Sequence, residues 1–383
     1  MVLLLVAPVL LGCKDRWSSD GDSPESGQAI LVANGSVAGA GALNWRVGSE
    51  PVVLIGGSNA AGKDAFHRLA GASRLQDATI AVADGGSGEI RLFSPNGVYI
   101  RAMGGAGDGP GEFSSLRILL RLPGDSLLGY QLGGHRFVIF SPDGGHFRTG
   151  QLQGPPSVVA VESVLGDGSW IGTVVQTGAA AQGISRPVLY LLRYASNGTL
   201  LDTVATAYGS ERVMVQQGAA ATTQLIPFGR NTLRAAAGSY VIVMDTHEPR
   251  LLYYRPDGGL AKVVTWQAEP ARVSGSEWQD YIDSVSSGSP ASQALVRRRL
   301  LEQLPRPERF PLASDLAIDR ADNVWIKRFA SDEWVVFDGS GKLRGKLRLP
   351  PRFLPSDIGH DYILGIGRDS LDAEYVALYE LQK

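Results

Sequence analysis

Several groups of residues in this chain have types and spacings that could support chemistry. GSNAAGKD (57–64), after the apolar run VVLIG, nearly matches the G-x-x-x-x-G-K-[ST] loop that cradles phosphates. YVIVMD (240–245) would be its companion, an apolar strand whose terminal Asp holds magnesium. Position 64, however, is Asp, which offers a metal no hydroxyl and repels a phosphate. The chain also lacks the alternation of strands and helices that a parallel nucleotide-binding sheet requires. Both facts favour a plain strand-to-loop exit over nucleotide hydrolysis. The five histidines (67, 135, 146, 247 and 360) are scattered, and no pair has the i, i+4 spacing of a helical zinc site. Asp357, Asp361, Asp369, Asp372 and Glu374 make the last stretch acidic, but without an Asp-x-Asp-x-Asp-Gly calcium loop. No Gly-x-Ser-x-Gly elbow marks a hydrolase nucleophile. Arg297, Arg298 and Arg299, with Arg306 and Arg309 nearby, form either a partner or anion contact or a solvated helix face. Trp278 and Tyr281 are either a binding platform or the packing face of a helix.

The elements that must position these groups recur. Six times a short apolar strand is followed by a break and a second apolar strand, the second ones being EIRLF (89–93), RFVIF (136–140), VLYLLRY (188–194), RLLYY (250–254), EWVVF (333–337) and EYVALYEL (374–381). The first five run into SPNG (94–97), SPDG (141–144), ASNG (195–198), RPDG (255–258) and DGSG (338–341), and a third strand follows each. Asn-Gly and Asp-Gly favour tight hairpins because these residues tolerate positive φ. Upstream stretches such as SLRILLRL (115–122) and SDLAID (314–319) supply a fourth, inner strand. Units of this size cannot bury their own apolar faces and must stack on neighbours. The pattern predicts an all-β chain: a six-bladed β-propeller of four-stranded antiparallel blades.

The sixth unit stops after its second apolar strand, with only Gln382 and Lys383 beyond EYVALYEL. PVVLIGG (51–57), an apolar strand ahead of the first full unit, is expected to complete that blade and close the ring, because an unpaired edge would expose a row of backbone groups. The turn-to-turn spacing from Asp257 to Ser340 is 83 residues, against 47, 54 and 60 earlier. The excess, about 270–310, reads as a helical hairpin lying over one face of the disc. Ser274 and Glu277 have capping-box spacing, and Trp278, Tyr281, Ile282 and Val285 follow a helical period. SPASQALVRRRLLEQL (289–304) reads as the second helix, with Ser289 as N-cap and Pro290 at the first helical position.

GGAGDGPGEF (104–113) resembles the blade junction of NHL-type and bacterial six-bladed propeller lipoproteins, and DIGHDYILGIGRDSLDAEYVALYEL (357–381) is similar to the last blade of that group. The resemblance covers residues 46–383 and implies a fold, not an activity. The N-terminus agrees with it. VLLLVAPVLLG (2–12) is too short to span a bilayer and suits the apolar core of a signal peptide, and LLGC (10–13) looks like a lipobox. Residues 1–13 are thus expected to be a lipoprotein signal peptide with lipid on Cys13, and residues 14–45, rich in Ser, Gly and Ala, a flexible tether. Cys13 is the only cysteine, so no intrachain disulfide can form. Lys14 after it favours the outer membrane over retention at the inner one.

A net charge of -2 without a long basic run gives nucleic acid no electrostatic footprint. Two classes of function stay open on the sequence. One is a non-catalytic envelope binding or scaffold propeller for a protein, peptide or glycan, with no cofactor. The other is a metal-dependent hydrolase or lyase with calcium or zinc at the central axis, held by residues such as His67, His247, Asp315 and His360. One fold hosts both.

Overall fold

The computed structural model describes residues 29–131, 135–143, 145–154, 159–176, 183–217, 220–288 and 290–383. Its backbone is a ring of six antiparallel sheets. Blade 1 is built from Leu69–Arg74, Ile80–Asp84, Glu89–Phe93 and Tyr99–Gly104 in that order, from the axis outward. Blade 2 runs from the inner strand Leu116–Arg121 to the outer strand His146–Gln151, and blade 3 from Val159–Val164 to Leu200–Tyr208. Blade 4 runs from Thr232–Ala237 to Leu260–Gln267, and blade 5 from Ala313–Ile318 to Leu343–Arg348. Blade 6 has Phe353–Ile358, Tyr362–Arg368 and Glu374–Gln382, and its outer strand comes from the other end of the chain. Val53–Gly56 pairs antiparallel with that third strand, Val53 opposite Leu378 and Gly56 opposite Tyr375.

Local chemistry sets the hairpins. The turn glycines Gly97, Gly198, Gly258 and Gly341 all have φ between 81° and 93°, a region closed to most side chains. In blades 1 and 2 the second and third strands are almost wholly buried, because both of their faces meet neighbouring blades. The core therefore lies in the seams between blades. Between blades 6 and 1, Val53, Ile55, Val82, Phe93, Leu364 and Val376 pack together. Between blades 2 and 3, the rings of Phe137 and Trp170 meet edge to face at 4.7 Å.

The strand pairs and the helical insertion lie where the sequence places them. Helix α1 (Gly275–Ser287) is capped reciprocally by Ser274 and Glu277, and α2 (Ala291–Glu302) follows. Two expectations need correction. Pro290, with φ −51°, takes the N-cap position of α2, and Ser289 lies outside the described residues. The tether is also shorter than expected. Residues 1–28, with Cys13, lie outside the described residues, but from Ile30 onward the chain is held to the ring. Ile30–Ser36 adds a fifth, parallel strand to the outer edge of blade 4, and Arg46–Val47 pairs with the last strand. Asn34 donates to the carbonyls of Thr265 and Gly341, and Trp45 packs 5.7 Å from Trp325. A composition rich in Ser, Gly and Ala does not prevent a strand when a blade edge offers unpaired main-chain groups.

A second element has no counterpart in the sequence reading. Arg212–Gln217 and Ala220–Leu225 form a hairpin, joined by Ile184–Ser185, outside the six blades. Its Val213 and Val215 pack against Ile282, Leu301 and Leu304, so it serves as the platform for the helical insertion.

Candidate functional site

Two concave regions stand out among the described residues. The first is the axial channel, about 790 Å³, walled by the inner strands of all six blades. Its charged groups are paired across blades. Arg234 of blade 4 forms a two-pronged ion pair with Glu162 of blade 3, and its Nε also reaches the Thr173 hydroxyl at 3.1 Å. Arg320 of blade 5 grips both oxygens of Asp357 in blade 6 at 3.0 and 2.7 Å. Asp125 of blade 2 binds Arg121 and accepts the Gln76 amide of blade 1 at 2.7 Å. The arrangement consumes its own carboxylates. Asp322, which lines the channel without an ion-pair partner among the described residues, is an exception: burial and then the charge of Asp319 raise its carboxyl above the ordinary range, and the Gly238 amide offsets this only in part. Asp315, on the inner strand of blade 5 but outside the channel lining, is also raised by burial, with the Leu316 amide and Lys327 opposing.

The four residues named as axial metal ligands are not brought together. His67 precedes the inner strand of blade 1, whereas His360 follows the inner strand of blade 6, so the two lie at opposite ends of the channel. His247 sits in a loop of blade 4, away from the axis. Among the described residues no group of three or more His, Cys, Asp or Glu could hold a metal ion. The phosphate-loop lookalike is likewise accounted for: Lys63 pairs with Glu89 at 2.8 Å, and Asp369 accepts the Ser58 amide at 2.8 Å.

The second region is a cavity of about 650 Å³ in the upper end of the seam between blades 4 and 5. Met244, Trp266, Ile326 and Phe337 form its floor, all from the buried core of that seam. Ser36–Ala38 of the N-terminal strap and the stem of the insertion wall it. The stem is a short two-stranded ladder: the Val273 amide donates to Glu308, and the Phe310 amide donates to Ala271. Phe310 stacks on Phe329 at 5.6 Å, and Phe228 packs edge-on against Phe310, Phe329, Trp278 and Tyr281. Phe228 thus pins the insertion to the disc.

This settles where the named contact residues lie. Trp278 and Tyr281 stack on each other at 5.8 Å and pack on Phe228, so they form the insertion's seat and not a free platform. Arg298 bridges Asp283 at 2.6 Å and Glu302 at 3.8 Å. Arg297 and Arg299 are exposed, beside the exposed Leu295 and Val296.

No family model and no curated protein matches the sequence. Among solved structures, a Bacteroides fragilis protein described as exported superposes with a TM-score of 0.50 at 10% identity, over 92% of this chain and 99% of that one. The fold is a β-propeller. A protein from a family of unknown function in Bacteroides vulgatus gives 0.48 at 8% identity, covering 88% and 99%. A gluconolactonase of Xanthomonas campestris gives 0.47 at 13% identity, covering 90% and 98%. At these identities the likeness is one of fold alone.

One titratable group joins the propeller to the stem. The ring of His247 lies between the Thr246 hydroxyl, 3.2 Å from Nδ1, and the Arg309 carbonyl, 3.3 Å from Nε2. Burial lowers its pKa from the ordinary 6.5; the bond to Arg309 and the charges of Asp245 and Glu211 oppose this, and Arg230 adds to it. The folded state therefore favours the neutral ring, and unfolding takes up a proton. The contribution to stability is fully present above about pH 6.5 and is lost as pH falls through the lowered folded value. Gln at this position can still donate to Arg309 but cannot titrate. We expect melting temperature to fall between pH 7.5 and 5.5 more in the parent than in His247→Gln. Equal slopes would show that His247 does not couple pH to the fold.

Proposed function

We propose that this protein is a non-catalytic binding module of the bacterial cell envelope, tethered through lipid on Cys13. In this reading the cavity between blades 4 and 5 takes the apolar part of a protein, peptide or glycan partner. The observation that carries the reading is the cavity's position. Blades repeat one another and serve stability, so a specific surface arises where the repeat is broken. The strap and the stem break it on this side of the ring and wall a concave, aromatic-lined space of the size that ligand sites occupy, while the accessory hairpin supports the helices of the insertion. Commitment of the channel's Glu162, Asp125 and Asp357 to arginine partners weighs against catalysis at the axis.

Replacing 274–309 by a short Gly-Ser linker removes α1, α2 and one wall of the cavity, and leaves the six sheets. Capture of partners from envelope extract is expected to be lost, with circular dichroism still that of a β protein. An unchanged partner set would move the site elsewhere on the disc. In the same cells a fatty-acid analogue is expected to label the parent and not Cys13→Ser. A labelled variant would sink the anchor.

A further inference from the structure

The cavity's wall chemistry is one-sided. Its floor and sides are apolar and aromatic, with Trp266 and Phe337 at 5.1 Å and Phe310 and Phe329 stacked above. Aromatic faces carry the negative side of a quadrupole and attract cations. Only three charged side chains line the space: Glu269, Glu277 and Arg328. Arg328 is ion-paired, its Nη1 lying 2.7 Å from Glu333, a carboxylate it shares with Lys346 at 3.7 Å from the other oxygen, so that Glu269 and Glu277 outnumber it at the rim. Glu277 binds the Ser274 amide and hydroxyl through Oε2 at 2.8 and 2.6 Å, so its Oε1 stays free; the Ser274 bonds hold this carboxyl below the ordinary range. Glu269 is exposed and has no hydrogen-bond or ion-pair partner among the described residues. The arginines of the stem do not line the cavity, and Arg309 directs one donor to the Pro270 carbonyl at 2.7 Å. A ligand seated here meets apolar surface below and unpaired acceptors at the rim, with no unpaired cation among the described lining residues.

We propose that this cavity selects an amphipathic cation carried by its partner: an apolar body that fills the floor and an ammonium or guanidinium that reaches Glu269 and Glu277. The proposal rests on the cavity being the ligand site, and the experiment separates the two ideas. The probes are 4-phenylbutylamine and 4-phenylbutyrate, which share a body and differ in the sign of the head, titrated calorimetrically into the full chain. The amine is expected to bind about five- to tenfold more tightly, the range that one or two part-exposed charge pairs supply. The double variant Glu269→Gln, Glu277→Gln keeps the capping box, since Gln serves it as well as Glu. It should bring the amine down to the level of the acid and leave the acid unchanged or improved. Ala268→Trp, which fills a half-buried wall position, should abolish binding of both.

Binding of the acid as tightly as the amine would overturn the cation preference alone. Survival of the preference in the double variant would overturn the roles given to Glu269 and Glu277. Failure of both probes to bind the parent, or binding that survives Ala268→Trp, would overturn the cavity as a ligand site and the preference with it.

Discussion

Deleting residues 51–57 is expected to open the ring and send the protein into aggregates. Val53–Gly56 is the outer strand of blade 6: Glu374–Gln382 pairs on its inner edge with Tyr362–Arg368, and among the described residues no other segment pairs with its outer edge over Tyr375–Leu378. The ladder is extended at both ends, where the Val52 amide donates to Leu378 and the Gly57 amide to Glu374, each at 2.8 Å. Loss of the segment strips these partners from Glu374, Tyr375, Val376, Ala377 and Leu378 and leaves an unpaired edge, a template for other chains. It also unroofs the seam to blade 1, where Val53 and Ile55 are 8% and 3% exposed against Phe93 and Val376. Truncating Ile55 alone, by Ile55→Ala, should cost about 2–5 kcal/mol, the range for a buried aliphatic side chain whose cavity cannot collapse. Leu54 points the other way and is 59% exposed, so Leu54→Ser should stay within about 0.5 kcal/mol. Size-exclusion profiles and thermal melts of the three variants check this. A deletion variant as monomeric and as stable as the parent would remove the closure role.

This closure could be read from the sequence because it follows from counting: five third strands followed by a turn and a fourth strand, and a sixth followed by two residues. The blades were legible for a related reason. Gly97, Gly198, Gly258 and Gly341 mark turns by a backbone requirement that composition displays directly. The accessory hairpin was not legible. RVMVQQ and AATTQL are not joined by an Asn-Gly or Asp-Gly turn of the kind that marks the blades, and the two apolar residues that matter, Val213 and Val215, face α1 and α2, not a blade. The strap at Ile30–Ser36 was hidden too, because main-chain pairing with Leu260–Gln267 and the amide of Asn34 hold it, and neither needs an apolar pattern. The cavity combines both difficulties. Its walls come from segments near residues 37, 244, 267, 310, 328 and 336, and no spacing in the sequence joins them.

The second large effect is expected at the floor of the channel. Asp357 ties three blades together: it accepts the Arg74 amide at 2.8 Å and the Ser73 hydroxyl at 3.1 Å from blade 1, and two Arg320 bonds from blade 5. It also accepts the Tyr362 hydroxyl of its own blade at 3.2 Å. Arg320 in turn donates to the Arg74 carbonyl at 2.5 Å, and the Arg74 guanidinium lies 4.6 Å from the Tyr362 ring centroid. Burial, followed by the charge of Asp357, pushes the Tyr362 hydroxyl well above its ordinary pKa, so it stays a donor across any working pH. Asp357→Ala leaves a backbone amide, two hydroxyls and part of a guanidinium without their acceptor in a crowded site. The expected cost is about 2–3 kcal/mol, as when buried donors are left without their acceptor. Asp357→Asn keeps the shape and one acceptor oxygen, and should cost roughly half as much because the Arg320 pair loses its charge. Arg320 is 35% exposed, so water can take its donors, and Arg320→Ala should be the mildest of the three. That order separates a carboxylate acting as a hub from a simple surface ion pair, in which removing either partner costs the same small amount. Thermal melts at one pH suffice; Asp357→Ala and Arg320→Ala with equal, sub-kilocalorie effects would show that the blades close without this hub.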